Sequence, residues 1–303
     1  MVTYSHPVGF KVYSMHKVKL CLILLSIFSL LVTSCAQKTD YLVTIKTRHG
    51  DMVAVLYDET PKHKENFIKL VKEHYYDSLL FHRVIEGFMI QGGDPESKKS
   101  KEGQRLGNGG PGYTIEAEFN PKFFHEKGAL SAARLGDEMN PQKASSGSQF
   151  YVVQGKKHTE SEIKLDQQKY GMALQQFFQK PENKMYYDSI SIFYQTGDEK
   201  GYEAFILSLK PMVESQLGIS VDKDVSPELV KAYTTVGGTP ALDGQYTVFG
   251  KVIKGVEVID KIAAEAKDQT DRPLEDIRMQ ISIEEMPRRK IEKTYGYTYP
   301  EKK

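Results

Sequence analysis

Between residues 158 and 233 this chain reads as helix, and on both sides of that stretch it reads as short strands and glycine turns. Before the break, Tyr41-Leu42-Val43-Thr44-Ile45 and Met52-Val53-Ala54-Val55-Leu56 are apolar and β-branched, and Arg48-His49-Gly50-Asp51 between them reads as a hairpin turn. A helix follows with Thr60 as its N-cap, Pro61 at its first position and Phe67, Leu70 and Val71 on its apolar face. Further short strands are expected around 80–83, 88–91, 128–133 and 149–153, with glycine-rich loops such as Gly107-Asn108-Gly109-Gly110-Pro111-Gly112 between them. Inside the break, Tyr170, Leu174, Phe177 and Phe178 fall at i, i+4, i+7 and i+8. Tyr186, Ile190, Phe193 and Tyr194 repeat that spacing after Pro181-Glu182-Asn183. Tyr202, Phe205, Ile206 and Leu209 begin a third stripe, and Ser226-Pro227 opens a short fourth helix. Stripes of this kind serve as packing surface more often than as a ligand box. The strand pattern returns at about Val236, runs through Tyr246–Val252, and gives way to an amphipathic helix near 256–264. Strands, helices, then strands again argue for one β-domain with a helical insertion, not two domains in series. Many short strands with few helices favour a closed β-barrel capped by helices.

The remaining composition narrows the chemistry. A chain of 303 residues, 40% hydrophobic and 27% charged, can bury a core, and its net charge of +1 calls for no nucleic acid. Cys21 and Cys35 are the only cysteines, so the body of the protein has no disulfide framework, thiolate zinc site or cysteine nucleophile. His63, His74, His125 and His158 show no metal-binding spacing, and neither a metal nor a cofactor is expected.

The N-terminus reads as an address. Lys17 and Lys19 precede an apolar run from Leu20 to Val32, of signal-peptide length. Its ending, Val32-Thr33-Ser34-Cys35 followed by polar residues, resembles a bacterial lipoprotein box. That resemblance implies cleavage before Cys35, acylation of Cys35, and stable membrane anchoring. Met15 would serve as a start as well as Met1. Removing residues 1–34 takes away Lys11, Lys17 and Lys19 and no acid, which leaves a net charge of −2.

The run Phe81-His82-Arg83-Val84-Ile85-Glu86-Gly87-Phe88-Met89-Ile90-Gln91-Gly92-Gly93-Asp94 resembles the signature segment of the cyclophilin family. Ser145-Ser146-Gly147-Ser148-Gln149-Phe150-Tyr151 is similar to the family's SQFF strand, and Leu242–Val252 to its LDG–VFGKV segment. The three stand in family order, with Gly109–Tyr113 and Gly128–Ser131 in the expected gaps, and the resemblance spans residues 41–157 and 236–286. It implies an eight-stranded antiparallel barrel closed by two helices and the activity of a peptidyl-prolyl cis–trans isomerase. It puts catalysis on Arg83, and an apolar slot for the proline ring on Phe88, Met89, Tyr151, Leu242 and Tyr246. Gln91 and Gln149 become polar partners along the wall. Ala133 and Arg134 match the edge whose backbone pairs with the substrate peptide. Taken without the motif, Phe88 and Met89 would read as core and Arg83 as a surface ion pair. His82, alternating to the face opposite Arg83, reads as structural.

Three positions depart from the family. Ala241 stands where many eukaryotic members carry tryptophan, Tyr246 replaces a histidine and Tyr151 a second phenylalanine. All three alter the pocket rim, which implies weak cyclosporin binding with the reaction intact. Arg134-Leu135 replaces a smaller pair and bears on sequence preference.

The expected organisation is a signal peptide over 1–34, a linker over 35–40, and an isomerase domain over 41–286 interrupted at about 158–233. A basic, tyrosine-rich tail over 287–303 is expected to be solvated. The expected role is an envelope foldase for proline-containing segments of unfolded or exported proteins, monomeric and facing the periplasm. The alternative is a non-catalytic proline-peptide scaffold that docks partners through the insertion. A third is a structural envelope protein in which the insertion alone matters. Arg83 discriminates, because a pure binder needs no guanidinium there.

Overall fold

Strand β1 (Thr39–Thr47) turns through Arg48-His49 into β2 (Gly50–Leu56). Gly50 takes a φ of +126° as the second strand begins, a conformation that a side chain disfavours. The architecture is that of a computed structural model, which describes Met1, Tyr4 and residues 38–101 and 103–300. The signal segment and Cys35 lie outside the described residues.

After β2 come helix α1 (Pro61–Lys72), β3 (Phe81–Ile85), β4 (Met89–Gly92), β5 (Thr114–Ile115), β6 (Ala129–Ala132), β7 (Ser145–Ser146) and β8 (Phe150–Val153). The insertion supplies α2 (Glu160–Lys164), α3 (Gln167–Phe178), α4 (Lys184–Thr196), α5 (Glu199–Ser208), α6 (Lys210–Leu217) and α7 (Pro227–Lys231). Strand β9 (Val248–Lys254), helix α8 (Glu257–Ala263), β10 (Gln280–Pro287) and helix α9 (Arg288–Tyr295) complete the chain. Eight strands form one antiparallel sheet in the order β10-β1-β2-β9-β6-β8-β4-β3, and β5 pairs with β7 separately.

The sheet closes on itself just ahead of its two edge strands. Ser78 N donates to Met279 O at 3.0 Å, Met279 N to Leu79 O at 2.8 Å and Phe81 N to Ile277 O at 2.9 Å. These bonds join the two ends of the curled sheet and leave less unpaired edge as a template for aggregation. Val43, Ile45, Met52, Ala54, Ile90, Leu130, Phe150, Val152 and Phe249 point inward, and Phe67, Leu70 and Val71 of α1 and Val258, Ile259 and Ile262 of α8 plug the core.

Two expectations are corrected here. Thr60 occupies the N-cap position of α1, but its side chain makes no capping bond. Glu118, from a distant loop, does that work: it accepts Lys62 N at 3.1 Å and His63 N at 3.0 Å. A carboxylate at the helix N-terminus gains from the helix dipole as well. The tail, expected to be solvated, is packed. Helix α9 buries Ile291 against the outward-facing Leu42, Val53 and Val55, with Tyr297 and Tyr299 beside them. Arg288 pairs with Asp40 at 2.9 Å and Asp58 at 2.7 Å.

The insertion has a core of its own, built from Leu165, Tyr170, Phe177, Leu209, Val213 and Val221. Asp166 and Asp198 cap α3 and α5 by accepting from the backbone N–H three residues on. Gly197, in the left-handed region, ends α4. Neither α4 nor α5 buries a single residue. Among the described residues no helix is long and apolar enough to cross a membrane.

Candidate active site

Strand alternation gives the barrel wall a second apolar face. Ile90, Leu130, Phe150 and Val152 face the core, so their neighbours Met89, Ala129, Tyr151 and Val153 face outward. These join Ala133 and Val248 in an external apolar cluster, with Phe88, Leu242 and Tyr246 packed against it. The five residues expected to form the slot therefore share one surface. Met89 and Tyr151, 2% and 4% exposed, form its floor; Phe88, Leu242 and Tyr246 are half-buried at its sides.

Arg83 reaches this face because of an irregularity. Phe81 pairs with Gly92 and Arg83 with Gln91, so two strand residues on β4 oppose three on β3 and His82 is the extra one. In a regular strand Phe81 and Arg83 would share a face. The bulge sends Phe81 into the core and Arg83 outward. His82 is buried beside the glycine loop, and neither ring nitrogen has a hydrogen-bond partner among the described residues. Burial, only partly opposed by Asp94, pushes its pKa down to about 4.

The guanidinium sits between two partners. Arg83 Nη1 lies 3.4 Å from Gln91 Oε1, and its Nε faces Asp271 Oδ2 at 3.8 Å, with 42% of the side chain still exposed. Gln91 Nε2 donates onward to Gln149 Oε1 at 3.1 Å, and Gln149 donates to the carbonyls of Gly107 at 2.9 Å and Gly109 at 2.7 Å. Asp94 holds the same loop from beneath, accepting Gly107 N at 2.6 Å and Gly109 N at 3.2 Å. Gly109 is required there, since a Cβ would lie 2.1 Å from Asp94 Oδ1. The Gln91–Gln149 relay thus fixes which amide oxygen faces Arg83.

The far wall is organised by charge. Arg134 lies over the Tyr246 ring at 4.4 Å, donating Nε to Gln245 O and Nη1 to Asp137 Oδ1 at 2.9 and 2.6 Å. Its cation–π contact covers the outer face of Tyr246. Tyr246 meets Tyr151 edge to face at 5.9 Å. Ala133 has its N–H bonded to Gln149 O and its carbonyl accepting from Ser146 N. Both backbone groups of Ala133 are thus engaged within the protein. The backbone N–H and carbonyl of the neighbouring Arg134, the other residue of that expected edge, have no hydrogen-bond partner among the described residues. Ala241, at the tryptophan position, is exposed.

Asp271 and Asp94 were not singled out from sequence. Asp94 stood inside the motif and could have been weighed as a loop anchor, whereas Asp271 lies 188 residues from Arg83 in a segment with no motif. Two surface hollows, around Lys46 and Arg278 and around Asp268 and Leu274, hold none of the expected site residues. Among the described residues no group of three or more His, Cys, Asp or Glu side chains is placed to hold a metal ion.

Comparison with known proteins gives a consistent result. Residues 42–191 and 225–283 match the family described as cyclophilin type peptidyl-prolyl cis-trans isomerase/CLD. An inferred peptidyl-prolyl cis-trans isomerase of Staphylococcus haemolyticus is 31% identical over 254 residues, covering 82% of this chain and 94% of that protein. An inferred bifunctional phosphatase/peptidyl-prolyl cis-trans isomerase of Streptococcus pyogenes is 32% identical over 241 residues, 78% of this chain but 37% of that longer protein. A cyclophilin-type isomerase of Cryptosporidium parvum superposes with a TM-score of 0.48 at 21% identity, covering 82% of this chain and 100% of that one.

Proposed function

The chain belongs to the cyclophilin-type family of peptidyl-prolyl cis–trans isomerases, and on that premise we propose that Arg83 is its catalyst and that it acts as a lipid-anchored foldase of the bacterial envelope. An X–Pro bond rotates slowly because amide resonance raises a barrier of about 18–20 kcal/mol. No bond is cleaved and no proton leaves the substrate, so neither nucleophile nor general base is required. A proline ring fits against Met89 and Tyr151 between Phe88, Leu242 and Tyr246, leaving its nitrogen toward Arg83. As the bond twists, that nitrogen regains a lone pair and accepts from the guanidinium, an interaction stronger in the twisted state than in either planar one. Gln91 and Asp271 hold the fork in place, which favours a planar guanidinium over an ammonium.

The observation that carries this reading is Arg83 itself, turned outward by the bulge at His82 to the edge of an apolar slot. Exchange spectroscopy on a short Ala-Pro peptide tests it, with the whole chain in mild detergent beside Arg83→Ala. The parent should accelerate exchange, and the variant should lose roughly 10²–10³ of kcat/KM, the scale of one lost transition-state donor. Equal rates in two folded proteins would refute Arg83 as catalyst.

The substrates proposed are proline-containing segments of unfolded exported proteins, met by a monomer facing the periplasm. The support is the lipoprotein-like Val32-Thr33-Ser34-Cys35 ending and a body free of cysteine.

A further inference from the structure

The helical insertion joins the barrel beside the slot, and one of its side chains reaches the slot wall. Tyr233, fully buried in the turn Ala232–Val236 that ends the insertion, donates its hydroxyl to Asp243 Oδ2 at 2.6 Å. The other oxygen of that carboxylate accepts from His125 N and His125 Nδ1, each at 2.9 Å. Asp243 directly follows Leu242 and precedes Tyr246 by one short turn, in which Tyr246 N donates to Leu242 O at 3.2 Å. His125, fully buried, stacks on Tyr151 with ring centroids 6.1 Å apart and meets Tyr246 edge-on at 6.5 Å. Burial, reinforced by Asp243, pushes the Tyr233 hydroxyl far above its ordinary pKa, so it stays a donor.

The neck around this contact is stitched on both sides. Glu126 and Lys156 both bridge to Gly238, Thr239 N donates to His125 O at 2.8 Å, and His158 N donates to Tyr233 O at 3.1 Å. Gly238 leaves no slack, since a Cβ there would lie 2.2 Å from His125 O. The insertion's end, the carboxylate and the slot wall are therefore one packed unit.

We propose that Tyr233 is a positioning residue for the prolyl site: through Asp243 it fixes the Leu242–Tyr246 wall and the His125 ring behind Tyr151, so the insertion completes the slot. This rests on the isomerase reading of that slot. The wall grips a proline ring in its planar and twisted states alike, so loosening it removes uniform binding. KM should rise while kcat holds.

The experiment compares Tyr233→Phe with the parent and with Thr234→Ala, whole chains in mild detergent, by exchange spectroscopy over a range of Ala-Pro peptide concentrations. Thr234 lies on the same turn, and among the described residues its hydroxyl bonds to the carbonyls of Val230 and Lys231 alone. In Tyr233→Phe we expect KM to rise about tenfold, the low end of what one lost hydrogen bond to a charged group is worth, with kcat within about twofold. The His125 Nδ1–H resonance should move in the same variant, and Thr234→Ala should change neither. A folded Tyr233→Phe with parental KM and an unmoved His125 signal overturns the proposal. Should Tyr233→Phe fail to fold, the parent decides. Saturating peptide should then move the Tyr233 and His125 side-chain signals together, and a still Tyr233 signal sinks the idea. If the parent accelerates no exchange at all, the isomerase reading itself fails and this proposal goes with it.

Discussion

Arg83 and His82 are neighbours with opposite fates, decided by one extra residue in β3. Arg83 was legible as a residue type in a motif. The bulge that aims it was not, because nothing in Phe81-His82-Arg83 distinguishes a bulged strand from a regular one. His82 carries a consequence that can be measured. Its pKa in the fold is about 4, against about 6.5 for an unfolded histidine. Between those values the unfolded chain binds a proton that the folded chain refuses, so stability is complete above about pH 6.5 and declines as pH falls toward 4. The contribution at stake is about 3 kcal/mol, two to three pKa units at about 1.4 kcal/mol each. Urea unfolding of parent and His82→Phe across pH 4–7 checks this. The parent should lose stability relative to the variant as pH falls, and parallel curves would mean that His82 takes up its proton in the folded state.

At the scale of elements, a strand covered on both faces was legible from its apolar, β-branched composition even without alternation. Met52-Val53-Ala54-Val55-Leu56 shows no alternation because Met52, Ala54 and Leu56 face the barrel core while Val53 and Val55 lie under α9. The short strands were legible because β-branched runs between glycines need no partner to be recognised. Strand β10 went unremarked, although Gln280-Ile281-Ser282-Ile283 alternates, because its role is to close a sheet whose first strand lies some 240 residues earlier. Helix α1 teaches the same lesson about caps. Thr60-Pro61 marks its start correctly, yet Glu118 supplies the hydrogen bonds and also accepts from His63 Nδ1 at 2.6 Å. Burial pushes the pKa of His63 down, Glu118 opposing, so the ring is a neutral donor to Glu118 and accepts from Ser145 Oγ–H at 2.9 Å. Glu118→Ala strips the helix of its cap and orphans that buried ring, and should cost about 2 kcal/mol. Thr60→Ala gives up a long 3.4 Å bond from its buried hydroxyl to Tyr57 O and no cap, and should cost less, about 1 kcal/mol. Thermal unfolding of the two variants decides it, and a larger loss for Thr60→Ala would return the cap to the local residue.

For the whole molecule, the described chain is fastened almost where a lipid anchor would attach. Arg288 N donates to Lys38 O at 2.9 Å, and Asp40, 5% exposed, is held by Lys64 and Arg288. Lys38 lies three residue steps beyond Cys35, a reach of about 10 Å fully extended. An acylated Cys35 would therefore hold the α9 end of the barrel at the bilayer, where the exposed Arg289, Lys290 and Lys293 meet anionic headgroups. The slot is built on the outer faces of β4, β6 and β8, whereas α9 and the tail cover those of β1 and β2. Such a tether leaves the slot free to meet clients. Were residues 1–34 removed and Cys35 acylated, neither natural cysteine would offer a free thiol, and one introduced cysteine would give a single labelled position. Arg289→Cys and Asp137→Cys, each carrying a fluorophore, compare the α9 end with the Arg134 side of the slot. In vesicles containing brominated lipid, quenching should be several-fold stronger at 289, and Cys35→Ser should release both labelled proteins into the soluble fraction. Equal quenching would show that the tether does not orient the barrel, and continued membrane association of Cys35→Ser would move the anchor elsewhere in the chain.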